Sequence, residues 1–258
     1  MLGRVRNLFR KSMAARSLEL RPSMPAITLE PVKLILALYS ARGKGITILQ
    51  AGACDGTTND PIYQHLQQIS SRAILVEPNP YAFERLKQAY AGRANVTLVQ
   101  AAIGERDGEA HLYRVKSTGQ PDAPGDWALQ IASFYREHLE LHGKRPEQIE
   151  QITVPCRTLS SLLAELGLDT VDLLQIDAEG FDATIVHMAL NMPVLPGCIN
   201  FEHVHLRGPD RKPLFDLLQS RGYLVGYDEW NILALQGPLL EKLLQNPLVA
   251  AARGNSVT

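Results

Sequence analysis

Two groups of carboxylates, each placed where an apolar run ends, carry most of the chemistry legible in this chain of 258 residues. The first group surrounds a glycine-punctuated turn, Gly52-Ala53-Cys54-Asp55-Gly56, that follows the apolar run Ile46–Gln50. Glycine admits positive φ and lets a ligand approach the backbone closely. Glu77 closes the next apolar run, Ala73–Val76, where a carboxylate can accept hydrogen bonds from both hydroxyls of a ribose. Gln100-Ala101-Ala102-Ile103-Gly104 ends the third, with residues small enough to flank a flat purine. Three successive run ends with matching chemistry are more specific than any one of them, because open α/β sheets bind ligands at the carboxyl ends of their strands. The turn lacks the middle glycine of a dinucleotide fingerprint, and Asp55 and Asp60 would repel a pyrophosphate. They suit a cofactor that carries a sulfonium and an ammonium group.

The second group lies in Asp172-Leu173-Leu174-Gln175-Ile176-Asp177-Ala178-Glu179-Gly180-Phe181-Asp182. Asp177 and Glu179 are two apart, so in an extended segment they point the same way. Carboxylates ending a buried strand need donors, cations or a metal to compensate them. The following run ends Asn200-Phe201-Glu202-His203-Val204-His205, again polar where a parallel sheet opens. Asp177, Glu179, Glu202 and His203 are therefore expected to converge. A hydroxyl is a poor nucleophile until a base removes its proton, and His203 or Asp177 is the expected base, with Glu179 as the third catalytic residue. His205 reads as a local contact. A divalent cation on Asp177, Glu179 or Glu202 would lower an acceptor's pKa, and oxygen ligands would select magnesium or manganese. The pattern itself establishes no metal site.

Positioning such groups requires strands and helices in alternation, and the chain supplies it: apolar runs at 46–50, 73–76, 96–101, 171–176 and 199–201 are separated by amphipathic stretches. That is the signature of a parallel sheet covered by helices on both faces. Residues 46–236 read as one domain, with 1–45 an N-terminal basic helical extension and 237–258 a C-terminal helix and tail. Within the domain, 116–150 reads as an insertion, a lid or substrate platform, in which Trp127, Phe134, Tyr135, Arg136 and His138 are candidates to line an acceptor pocket. Residues 1–22 carry six basic side chains and one acid, with apolar residues at helical spacing. They are expected to pack or to be solvated, with weak contact to a membrane surface as the other reading. A net charge of −1 gives no general pull toward nucleic acid. Cys54, Cys156 and Cys198 are scattered without paired spacing, which argues against a disulfide framework and fits a reducing, cytoplasmic setting.

The runs LQAGACDGTTND, LVEPNP, AAIG, LLQIDAEGFD and INFEHVHL, in that order, resemble the FkbM family of S-adenosylmethionine-dependent methyltransferases over roughly Ile46 to Leu235. The resemblance implies the Rossmann-like class I methyltransferase fold, a seven-stranded, mostly parallel sheet with its last strand antiparallel. It implies O-methylation of a hydroxyl on a sugar, glycolipid or natural product, so the expected partner is a small-molecule or glycan acceptor. It further implies that Gly52, Asp55 and Glu77 contact the cofactor and that Asp177 lies between cofactor and acceptor. Gln50, Ala53, Gly56, Asn59 and Ala102 complete the expected cofactor contacts. Gln50 stands where many class I enzymes carry an acid, and Cys54 where many carry glycine. Amino-methyltransferases of nucleobases would need a paired-proline motif where this chain has Asp177-Ala178-Glu179-Gly180. The rival readings are an NAD-dependent oxidoreductase and a noncatalytic binding protein on the same fold; a buried acid cluster without structural benefit argues against the second.

Overall fold

The structure, a computed structural model, describes residues 31–41, 43, 45–116, 131–206 and 208–244. The basic segment 1–22, Trp127 and the tail beyond 244 lie outside the described residues.

The main sheet has seven strands in the order β10-β11-β9-β8-β1-β2-β3. These are β1 (Thr47–Ala51), β2 (Arg72–Val76), β3 (Val96–Val99), β8 (Leu173–Ile176), β9 (Cys198–Glu202), β10 (Tyr223–Tyr227) and β11 (Asn231–Gln236). Strands β1, β2, β3, β8 and β9 run parallel, while β11 is antiparallel to both β9 and β10. This is the Rossmann-like class I methyltransferase order, antiparallel strand included.

Side chains alternate across each strand, so the sheet feeds two cores. Leu49, Ile74, Leu174 and Ile199 face α5 (Leu159–Glu165), α6 (Asp182–Leu190) and α7 (Gly208–Ser220). Ile48, Leu75, Leu173 and Cys198 face α1 (Pro31–Ala41), α2 (Tyr63–Gln68) and α3 (Pro80–Ala89). The domain begins earlier than residue 46: Val32, Ile35, Leu36 and Tyr39 of α1 are buried in the second core, so this helix is integral to the domain. At the other end, α8 (Gly237–Leu244) rests Leu239 against the same core.

A second sheet, β4-β7-β5-β6, was not foreseen. It pairs β5 (Gly108–Val115) antiparallel with β7 (Ile149–Arg157), and adds β4 (Ala102–Ile103) and β6 (Ala132–Ser133). Only one face of β7 is apolar, and Pro155 lies on the other, so the strand lacks the continuous apolar run of the main strands. Pro155 is tolerated because β4 pairs only with Cys156 and Arg157, leaving that edge open beside the proline. The sheet has its own small core of Ala102, Leu112, Val154 and Cys156. After β6 comes α4 (Arg136–Leu141), which leans on this sheet at the C-terminal end of β8.

Candidate functional site

The chain leaves β1 for β2 and β3, then returns to β8 on the other side of β1. A crevice must open at this switch point, above the C-terminal ends of β1 and β8. Its floor is backbone. Gly52 has φ +83°, and a Cβ there would lie 1.8 Å from the Asp177 carbonyl oxygen. Only glycine meets both conditions. The Asp177 N–H donates to the Ala51 carbonyl at 2.9 Å, and the Gly52 and Ala53 N–H groups donate to Val76 at 2.9 and 3.0 Å. Gly56 completes the turn by donating to the Ala53 carbonyl at 2.8 Å and accepting from the Tyr90 hydroxyl at 3.1 Å.

On the β1–β2 side, acids are consumed by backbone donors. Glu77 is buried; Oε2 accepts from the Cys54 N–H at 2.8 Å and Oε1 from the Asn79 N–H at 2.7 Å. Burial raises its pKa to about 7, against the pull of those two bonds. Asp55 accepts from the N–H groups of Thr57 and Thr58 at 2.9 and 2.8 Å and from both hydroxyls. Burial pushes Asp55 up, but these bonds outweigh it and leave the carboxyl below its ordinary range. Asp55 thus shapes the loop from within. Asp60 accepts from the Ile62 and Tyr63 N–H groups at 2.7 and 3.1 Å and from Gln50 Nε2 at 3.2 Å. Asp60 therefore supplies a carboxylate beside Gln50, the position where an acid was wanting. Burial raises the Asp60 pKa. Asn59 is exposed, with φ +58°. Two expected cofactor contacts face elsewhere by their side chains: Ala53 packs in the main core and Ala102 in the core of the small sheet.

On the β8–β9 side the bonding differs. Asp177 is open to solvent yet densely surrounded by protein, as at the bottom of a cleft. Among the described residues no hydrogen bond holds its carboxylate. Desolvation raises its pKa well above the ordinary range, and the charges of Glu179, Glu202, Asp182 and Glu77 add to the effect. Glu179 does not continue an extended strand: β8 ends at Ile176, and Glu179 has φ +51°, a left-handed turn. The turn is pinned by Asp182, which accepts from the Ala178 and Gly180 N–H groups at 3.3 and 3.2 Å. Asp182 is itself buried, with a pKa raised by desolvation to about 6.

That turn aims Glu179 at the insertion. Its Oε2 lies 2.5 Å from His138 Nε2, and its carbonyl accepts from the Ser133 hydroxyl at 2.7 Å. His142 Nε2 stands 3.2 Å from His138 Nε2. His205 joins them, its ring centroid 4.5 Å from that of His138. Burial lowers the His142 pKa, and the neighbouring His138 adds to this. Burial also pulls His205 down, but Glu202, 3.3 Å from its Nε2, reverses the balance and leaves it raised. His203, the expected base, points elsewhere: its Nε2 donates to the Asp228 carbonyl at 3.1 Å in the β10–β11 turn. Strand β9 ends at Glu202, the His203 N–H still donates to the Trp230 carbonyl at 2.9 Å, and the turn that follows brings His205 back beside Glu202. Of the expected acceptor-side set, the structure brings Asp177, Glu179 and Glu202 together and sets His203 apart. His138, His142 and His205 were missed as a group; the i,i+4 pair His138/His142 was the local sign, since that spacing puts two imidazoles on one helix face.

The arrangement is an acid-lined crevice over a glycine floor, with a histidine cluster beside it. The FkbM methyltransferase domain model matches residues 50–225. Among solved structures, the chain is similar to the FkbM methyltransferase of Methylobacillus flagellatus KT at 15% identity and TM-score 0.45, over 74% of this chain and 43% of that one. It is also similar to the fibrillarin of Aeropyrum pernix, solved with natively bound S-adenosyl-L-methionine, at 14% identity and TM-score 0.41, over 78% and 74% of the two chains. A third is the precorrin-6y C5,15-methyltransferase of Geobacter metallireducens GS-15, at 14% identity and TM-score 0.40, over 84% and 94%. None of the curated proteins compared matches. With a family match across more than half its length, the chain belongs to the FkbM methyltransferases, a family dependent on S-adenosylmethionine.

Proposed function

We propose that the chain binds S-adenosylmethionine across the ends of β1, β2 and β8 and transfers its methyl group to a hydroxyl of a small-molecule or glycan acceptor. One observation carries the reading: the carboxylate of Asp177, at the crevice floor, has no hydrogen bond among the described residues and four other acids around it. A site with this excess of negative potential favours a cation, and a sulfonium with an ammonium answers it. The missing side chain of Gly52 lets the Asp177 backbone close against the end of β1, which brings the Asp177 carboxyl to the turn. Glu77 keeps two lone pairs beyond its two backbone donors, enough for a pair of ribose hydroxyls.

When bound, S-adenosylmethionine supplies an activated methyl group: the acceptor oxygen bonds to the methyl carbon, and the carbon–sulfur electrons return to sulfur. The protein positions the two reactants in line. Asp177 takes the hydroxyl proton; its raised pKa makes it a stronger base than an ordinary carboxylate. His203 is left to hold the β10–β11 turn.

The acceptor class rests on the family resemblance and on the acids beside the methyl position. Calorimetry with S-adenosylmethionine and its demethylated product tests the donor site, and binding of neither removes the proposal. Extracts incubated with a labelled methyl donor test the acceptor: a labelled methyl ether supports O-transfer, and label on nitrogen or carbon refutes it.

A further inference from the structure

We propose that His138, His142, Glu179 and His205 bind a divalent transition-metal ion of the zinc type. Their ligand atoms all lie within 4.8 Å of one another. The proposal does not depend on the methyl-donor reading, because these side chains lie outside the glycine floor and Glu77.

Geometry is the first argument. Zinc–nitrogen bonds of about 2.0–2.1 Å make the edge of a coordination tetrahedron roughly 3.3–3.4 Å. The Nε2 atoms of His138 and His142 stand 3.2 Å apart. Imidazole nitrogens in van der Waals contact repel unless a proton or a cation lies between them. His138 Nε2 faces His142 at 3.2 Å and also Glu179 Oε2 at 2.5 Å, a hydrogen-bond length that would open to the ligand edge when an ion enters. One proton on that nitrogen cannot serve both neighbours well; one cation equidistant from the three serves all.

Donor chemistry is the second. Three imidazoles and one carboxylate suit zinc and its first-row neighbours, whereas magnesium prefers oxygen alone. This differs from the expected magnesium or manganese on Asp177, Glu179 and Glu202, since only Glu179 belongs to both sets. The surroundings fit as well. Glu202 lies 3.3 Å from His205 Nε2, and metal-bound imidazoles characteristically give their other N–H to a carboxylate. His205 would then ligate through Nδ1. His138 is buried, and its neighbours are partly accessible, so an ion has a protected seat and a route in.

The ligands come from three distant segments: α4, the turn after β8 and the turn after β9. An ion here would tie the described end of the 116–150 insertion to the two loops that carry the acceptor-side acids.

The test uses the full chain without a histidine tag, stripped with a chelator and titrated with zinc chloride. One equivalent should bind, and cobalt(II) in its place should show the visible bands of a four-coordinate ion. His142→Ala and His205→Ala should each weaken zinc on the order of a hundredfold or more, with far-UV circular dichroism unchanged to show that both fold. Both sites are partly exposed, which makes them safer substitutions than His138. Failure to bind zinc, unchanged affinity in the two folded variants, or magnesium displacing zinc at equal concentration would overturn the proposal. S-adenosylmethionine calorimetry on the same samples separates this failure from a failure of the donor site.

Discussion

The two walls of the crevice hold their acids differently, apart from Asp182, which two backbone N–H groups of its own turn fasten on the β8–β9 side. On the β1–β2 side, Asp55 and Asp60 are each fastened by two backbone N–H groups of their own loop, and Glu77 by one from its own loop and one, Cys54, from the turn after β1. On the β8–β9 side, Asp177 has no such bond, Glu179 leans on an imidazole and Glu202 on another. Backbone donors are part of the fold, so the first wall is organised before any ligand arrives. Side-chain partners can rotate, so the second is finished by what binds there. The division suits an enzyme with an invariant donor and a family-variable acceptor.

The sharpest way to break this contrast is at the floor both walls share. Gly52→Ala should cost at least about 3 kcal/mol, because the new Cβ meets the Asp177 carbonyl and the backbone is left-handed there. Denaturant unfolding checks it; a stability within 1 kcal/mol of wild type (roughly the effect of a surface change) would mean the floor is soft. Next comes Asp177→Asn, expected to reduce turnover about 10²–10⁴-fold while leaving thermal stability equal or higher, since a like-charged cluster loses a member. The wild-type rate should rise with pH as Asp177 ionises, and the asparagine variant should lose that limb; full activity would remove Asp177 from the mechanism.

Glu77→Ala should weaken the donor roughly tenfold to a hundredfold, the worth of hydrogen bonds to a charged group, and should remove the carboxylate that the Cys54 N–H donates to. Calorimetry reads it. The same residue sets a pH dependence. Its folded pKa of about 7 lies above the ordinary 4.5, so the folded state holds the extra proton. Its contribution to stability is complete below about 4.5 and is lost as pH rises through about 7. Cofactor-free protein should therefore melt lower at pH 8 than at pH 5 by more than the Glu77→Gln variant does; equal falls would assign the effect to other groups. The smallest effect is expected for His203→Gln, a change of about 1 kcal/mol in stability with turnover within a fewfold of wild type. A large loss of turnover alone would return His203 to the chemistry and weaken the contrast.

The donor wall was legible in the sequence because its logic is local: an apolar run, a turn, and an acid at a fixed offset. The acceptor wall was legible only as far as its strands extend. Parity along β8 and β9 predicts direction up to Ile176 and Glu202, and both misreadings, Glu179 as strand-like and His203 over His205, lie one to three residues beyond. Outside a strand the period of two no longer applies. The histidine cluster depends on contacts between residues 138 and 205, which no window of sequence contains. Strand β7 escaped for a different reason: its buried residues alternate with exposed ones, and one of the exposed positions is Pro155.

The Gly52–Asp177 contact also bears on how a turnover ends. Peptide hydrogen bonds from Asp177 to Ala51 and from Gly52 to Val76 knit three parallel strands directly under the ligand. Spreading them would break several backbone bonds together, which makes this floor one of the costlier parts of the sheet to open. If the proposed donor site is right, its demethylated product is expected to leave on the side of the loops and α4 rather than through the sheet.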